Sequence, residues 1–223
     1  MPFRDRIDAG RRLTQALARF EDDHPIIFAL PRGGVPVAAQ IARGLSAPLD
    51  LVIARKIGVP FQPELAMGAV VNGRDPLTVR NEDIIRGSRV SEEQFRIVRD
   101  QELAEIRRRR VRYLGHRRHP ELKGRVVILV DDGIATGATI LAALRAVKER
   151  RPRRLVLAVP VAPTSTLRQL RDEADEIVCL EAHEDFDAIG LYYADFGQVA
   201  DEAVIQCLAE AEVGQRSLVR GSR

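Results

Sequence analysis

The stretch VVILVDDGIATGATI, residues 126–140, runs five apolar residues into two adjacent acids and then into a turn of glycine, threonine and alanine with no lysine. A short apolar run that ends at a glycine-rich turn reads as a buried strand, and the ATILAALRAVKER that follows reads as a helix over about 138–150. A strand, turn and helix in that order leave free backbone N–H groups at the positive end of the helix, which can hold an anion without a lysine. Thr136 and Thr139 add hydroxyl donors, and Gly137 allows close approach. The turn is a poor Walker A, because Ala138 stands where that motif needs lysine. Asp131 and Asp132 sit just ahead, where carboxylates would repel bare phosphate.

Working outward, PIIFAL (25–30) reads as a buried strand, PRGG (31–34) as a turn and VPVAAQIARGL (35–45) as a helix with Pro36 in its first turn. DLVIAR (50–55) is a second strand, and two strands around one helix form a βαβ unit with parallel pairing. Towards the C-terminus the alternation continues with strand 155–161, helix 164–173, strand 176–180 and a last helix over about 198–213. A leading amphipathic helix covers 4–20, from the spacing of Ile7, Leu13, Leu17 and Phe20. Residues 57–90 break the pattern with scattered Gly, Pro and Asn and read as an excursion from the sheet. Ser91 and Gln94 then form a capping box for a helix running through about Leu114. The last ten residues, GQRSLVRGSR, read as disordered.

The 223 residues are 45% hydrophobic and 30% charged, enough for one sizeable core. The apolar runs are too short for a membrane span, and MPFRDRIDAG carries charges where a signal peptide needs apolar residues. A cytoplasmic location is expected, and Cys179 and Cys207, in apolar contexts without metal-ligand spacing, are expected to be inert. Net charge is only +3; of the 35 basic residues three are lysines (Lys56, Lys123, Lys148) and 32 are arginines. That balance does not indicate nucleic acid.

In an open parallel sheet, ligands bind beyond the carboxyl ends of the strands. PRGG, ARKIG and DDGIATGAT converge there from three strands. Carboxylates on that rim can accept hydrogen bonds from sugar hydroxyls or attract hydrated Mg²⁺, while the turn holds phosphate. The ligand implied is mixed, hydroxyls on one side and phosphate on the other, as in a ribose 5-phosphate.

With apolar strand, acid pair, TG and Thr all in register, VVILVDDGIATGAT resembles the phosphoribosyl pyrophosphate (PRPP) signature of the type I phosphoribosyltransferases, in a poorly characterised bacterial branch. The resemblance spans about 25–58 and 122–163, with the tail matching loosely and the insert hardly at all. It implies an α/β fold: a Rossmann-like open parallel sheet flanked by helices, in one domain over 1–223. That domain would carry a long loop/helix insertion at about 57–121 and a hood-like segment at about 181–213. By position, Asp131 and Asp132 would bind the ribose 2′ and 3′ hydroxyls and the Mg²⁺ that arrives with PRPP. Ala135, Thr136, Gly137, Ala138 and Thr139 would cradle the 5′-phosphate. Arg32, Gly33 and Gly34 match the family's pyrophosphate loop, and Arg55 and Lys56 its basic pair. A homodimer is also implied.

The acceptor is less legible. Ala135 stands where 6-oxopurine enzymes carry an acid, which argues against hypoxanthine and guanine. FDAIGLYYADFGQVADE (186–202) holds four of the ten aromatics, Phe186, Tyr192, Tyr193 and Phe196, and offers a stack for a heterocycle, with Asp195 beside it. The alternative for that segment is plain packing on the core. Glu64 in the insertion is a candidate general acid/base. Two functions remain: transfer of the phosphoribosyl group to a nitrogen nucleophile, or a non-catalytic PRPP or nucleotide sensor that binds nucleic acid. The second needs a basic stripe from Arg107, Arg108, Arg109 and Arg110 with Arg112, Arg117 and Arg118.

Overall fold

The structure is a computed structural model that describes residues 2–72, 76–115, 117 and 119–221, with side-chain surroundings described through residue 212. In chain order the first elements are α1 (Arg6–Leu17), β1 (Ile26–Ala29), α2 (Gly34–Gly44), β2 (Leu49–Leu51), β3 (Ala54–Val59), β4 (Gln62–Val71) and β5 (Leu77–Arg80). The chain continues through α3 (Glu82–Gly87), α4 (Glu92–Leu114), β6 (Val126–Val130), α5 (Ala138–Lys148), β7 (Arg154–Pro163), α6 (Thr164–Leu170), β8 (Glu176–His183) and α7 (Asp201–Gly221). Five strands form one sheet in the order β2-β1-β6-β7-β8, every pair parallel.

The runs read as buried strands are buried because both faces of this sheet are covered. Alternate residues serve the two cores, as the period of two requires. Ile27, Ala29, Ile128, Val130, Val156 and Ala158 pack with α1, α2, α4 and α7. Ile26, Phe28, Val127, Leu129, Leu155 and Leu157 pack with α5 on the other side.

Residues 57–90 leave the parallel sheet, as expected, but half of them belong to a second, three-stranded antiparallel sheet, β3-β4-β5, which is followed by α3. The expected strand 50–55 is split for the same reason: Leu49–Leu51 pairs with β1, and β3 starts afresh at Ala54. Asn72, from the far end of β4, fixes the break by accepting a hydrogen bond from the Ile53 amide at 2.7 Å. The capping box at Ser91 forms in both directions, at 3.2 and 2.9 Å, and α4 ends at Leu114 as expected. Helix α7 continues to Gly221 through most of the stretch read as disordered; Ser222 and Arg223 lie outside the described residues. No helix among the described residues is long and apolar enough to cross a membrane.

Candidate functional site

The sheet order places a topological switch between β1 and β6: from β1 the chain moves to β2 on one side, and from β6 to β7 on the other. The crevice beyond such a pair of strand ends is where open α/β sheets take ligands. PRGG leaves β1 there and the acid pair leaves β6, so the two motifs meet. A Cβ on Gly33 would lie 2.0 Å from Asp132 Oδ2, and one on Gly34 would lie 2.8 Å from the Val130 carbonyl oxygen. Glycine at both positions is therefore a requirement of close approach rather than of turn geometry. The Pro31–Arg32 peptide is cis.

The two acids are not equivalent. The Asp131 carboxylate accepts the Asp132 amide at 2.9 Å, and burial together with the charge of Asp132 pushes its carboxyl well above the usual carboxylate range. Asp132 is buried, and its Oδ2 accepts from Arg6 Nε at 2.7 Å.

The turn after the acids is anchored from outside. The Ile134 amide donates to the Val161 carbonyl at 3.0 Å, and the buried Thr166 hydroxyl donates to the Ala135 carbonyl at 2.8 Å. Gly137 adopts a left-handed φ of 77° as the N-cap of α5, and no side chain caps that helix end. Thr136, Ala138 and Thr139 line a cavity of about 490 Å³ between the first turns of α5 and the β3-β4-β5 sheet. An uncapped helix start facing open space, with two hydroxyls on its rim, can receive an anion.

Arg55, Lys56 and Arg80 form the opposite wall of that cavity. Arg55 and Lys56 lie on β3, not at the end of the parallel strand where the sequence placed them. Arg55 is ion-paired with Glu102 of α4, and Lys56 Nζ sits 3.0 Å from Glu64 Oε2. Glu64 is thus brought to a basic residue of the site, but on an exposed hairpin. Arg32 takes a different direction: its guanidinium is 3.7 Å from Asp201 at the start of α7, which also accepts the Tyr113 hydroxyl at 2.5 Å.

Two contributors were not visible in the sequence. Thr166 lies 31 positions from the carbonyl it holds and carries no motif. Arg6, on α1, lies 126 positions from Asp132. Its guanidinium also donates to the Gly197 carbonyl at 2.8 Å and stacks 3.9 Å from the centre of the Phe196 ring. The aromatic segment is consequently docked on the N-terminus. Tyr193 is buried against Phe3, with ring centres 5.3 Å apart, and its hydroxyl donates to the Asp132 carbonyl at 2.6 Å. Phe186 stacks on Tyr192 at 5.0 Å, and Asp195 accepts the Gly197 amide at 3.0 Å. Tyr193 therefore belongs to the core, as the packing alternative expected.

The donor set for a metal is limited. No cluster of three or more His, Cys, Asp or Glu able to hold one exists among the described residues. The two carboxylates are hard oxygen ligands suited to Mg²⁺, but one is already ion-paired to Arg6.

The arginine run is largely occupied within the chain. Arg108 and Arg109 each reach Glu105 at 2.7 Å, and Arg110 donates to His119 at 3.0 Å. Arg112 pairs with Asp201 and Glu202, and Arg117 with Glu212. Arg118 lies outside the described residues.

Residues 5–195 match the phosphoribosyl transferase domain family. Two curated Mycobacterium tuberculosis proteins, MT0597 and Rv0571c, provisionally named phosphoribosyl transferases, are 43% identical over 209 residues, 94% of this chain. The chain spans about half the length of these curated relatives, 47%. The crystal structure of TT1426 from Thermus thermophilus is 42% identical, with a TM-score of 0.81 over 94% of this chain and 99% of that one. AQ2163 from Aquifex aeolicus, at 14% identity and a TM-score of 0.50, shares the fold over 83% of this chain and 78% of its own.

Proposed function

Because this chain belongs to the phosphoribosyl transferase domain family, we propose that it binds PRPP with Mg²⁺ and transfers the phosphoribosyl group to a nitrogen nucleophile, releasing pyrophosphate. The observation that carries this reading is the meeting of three parts at one switch point: the glycine turn against Asp132, the acid pair, and the uncapped start of α5. A ligand with a phosphate, a vicinal diol and a diphosphate would use all three.

In this reading the α5 amides with Thr136 and Thr139 hold the 5′-phosphate, and Asp131 and Asp132 take the ribose hydroxyls. Arg32, Gly33 and Gly34 receive the diphosphate, joined by Lys56 and Arg55 once these exchange their carboxylate partners for it. The C1–O bond to pyrophosphate breaks, the new C1–N bond forms, and the nucleophile loses its proton. Asp131 and Asp132 would hold the metal, which when bound with PRPP supplies neutralisation of charge on the departing diphosphate. Positioning and electrostatics then account for catalysis, since no covalent step falls to the protein. The acceptor is a nucleobase or related heterocycle, for which the stacked Phe186 and Tyr192 rings are a candidate platform. A nucleic-acid-binding sensor is less well supported, because acids, a histidine and a backbone carbonyl of the same chain engage much of the arginine run.

The test is incubation of the protein with Mg-PRPP and a panel of bases and amines while pyrophosphate release is measured. Release that depends on one acceptor supports the transferase, and no release with any member of a broad panel counts against it.

A further inference from the structure

We propose that Arg6 is a positioning residue for Asp132, holding the second acid of the pair in place and tying it to the aromatic segment 186–197; this rests on the PRPP reading above. Five contacts define the arrangement. Arg6 Nε donates to Asp132 Oδ2 at 2.7 Å, and each side chain is only 12% exposed. The same carboxylate oxygen lies 2.0 Å from where a Gly33 Cβ would be, so Asp132 is wedged between Arg6 and the PRGG turn. Arg6 Nη1 donates to the Gly197 carbonyl at 2.8 Å, and its guanidinium lies 3.9 Å from the centre of the Phe196 ring. From the other side, the Tyr193 hydroxyl holds the Asp132 backbone carbonyl at 2.6 Å.

A carboxylate held this way has one oxygen engaged and its rotamer fixed, and a planar guanidinium suits both the carboxylate and the aromatic face beneath it. Both acids take the ribose hydroxyls, Asp132 through Oδ1, the oxygen that Arg6 does not engage. Loss of Arg6 therefore disorganises ribose recognition first. Lysine keeps the charge but loses the fork and the flat stack.

The experiment compares wild type, Arg6→Gln, Arg6→Lys and Phe196→Leu by calorimetry with Mg-PRPP, ribose 5-phosphate and inorganic pyrophosphate. Arg6→Gln is expected to weaken both ribose-bearing ligands about tenfold or more and pyrophosphate by clearly less. Arg6→Lys is expected to fall between wild type and Arg6→Gln, with Phe196→Leu milder than either. Equal loss for all three ligands, or folded Arg6→Gln with wild-type affinity, overturns the assignment. If Arg6→Gln does not fold, Arg6→Lys decides: about threefold or greater weakening confined to the ribose-bearing ligands upholds it, and wild-type affinity overturns it. Wild type that fails to bind Mg-PRPP overturns the PRPP reading itself, and this inference with it, whereas wild-type binding with unaffected variants overturns the role of Arg6 alone.

Discussion

Without a ligand, Asp131 is a carboxyl in an unfavourable place, half-buried beside a second acid. Its pKa in the folded chain is raised above the unfolded value, so the folded state binds the proton more tightly. The stability this gives is present at acid pH and is lost as pH rises from the ordinary carboxylate range through the raised value. Asp131→Asn is therefore expected to stabilise the metal-free protein near neutral pH by on the order of 1 kcal/mol, roughly 2–4 °C in Tm. Thermal unfolding in chelator should show that gain shrinking towards pH 4; a variant no more stable at pH 7 would contradict the account. Gly33→Ala should do the reverse, since its Cβ would lie 2.0 Å from Asp132 Oδ2. A loss of about 1–3 kcal/mol is expected from such overpacking, together with weakened PRPP binding. Asp131, Asp132 and the glycines were legible because they sit in short contiguous motifs. Arg6 and Thr166 were not, since only the folded chain brings them to the acids and to Ala135.

At the scale of elements, the site is a turn held by its neighbours. Thr166→Val removes the hydroxyl that donates to the Ala135 carbonyl. About 1 kcal/mol of stability should go with it, and inorganic phosphate should raise the variant's Tm less than that of wild type. Ser91→Ala probes an element away from the site: loss of the capping box should cost ~1 kcal/mol in urea unfolding and leave Mg-PRPP affinity unchanged. Helix α4 was readable because its start carries a local hydrogen-bonding signature. The β3-β4-β5 sheet was not, because its strands lack the alternation that marks a half-buried strand. Its residues are mostly half-buried, and the register shifts at Gly58, where a Cβ would meet the Pro63 carbonyl oxygen at 2.4 Å. Strands β1 and β6 were readable for the opposite reason, being apolar throughout and covered on both faces.

Across the whole molecule, one switch point gathers segments from nearly the full length of the described chain. Arg6 comes from the first helix, Gly33 from the turn after β1, the acids from the end of β6 and Tyr193 from near the last helix. The order of the parallel strands is not legible in the sequence, because apolar periodicity gives strands and not their neighbours. The docking of residues 186–197 on the N-terminus depends on long-range contacts that no local pattern announces. We propose that this convergence binds PRPP through its ribose. Calorimetric titration of Mg-PRPP into wild type and into the Asp131→Asn, Asp132→Asn double variant separates the outcomes. Saturable binding by wild type and a loss of at least about tenfold, ~1.4 kcal/mol, in the double variant are expected; equal affinity in the two proteins overturns the assignment.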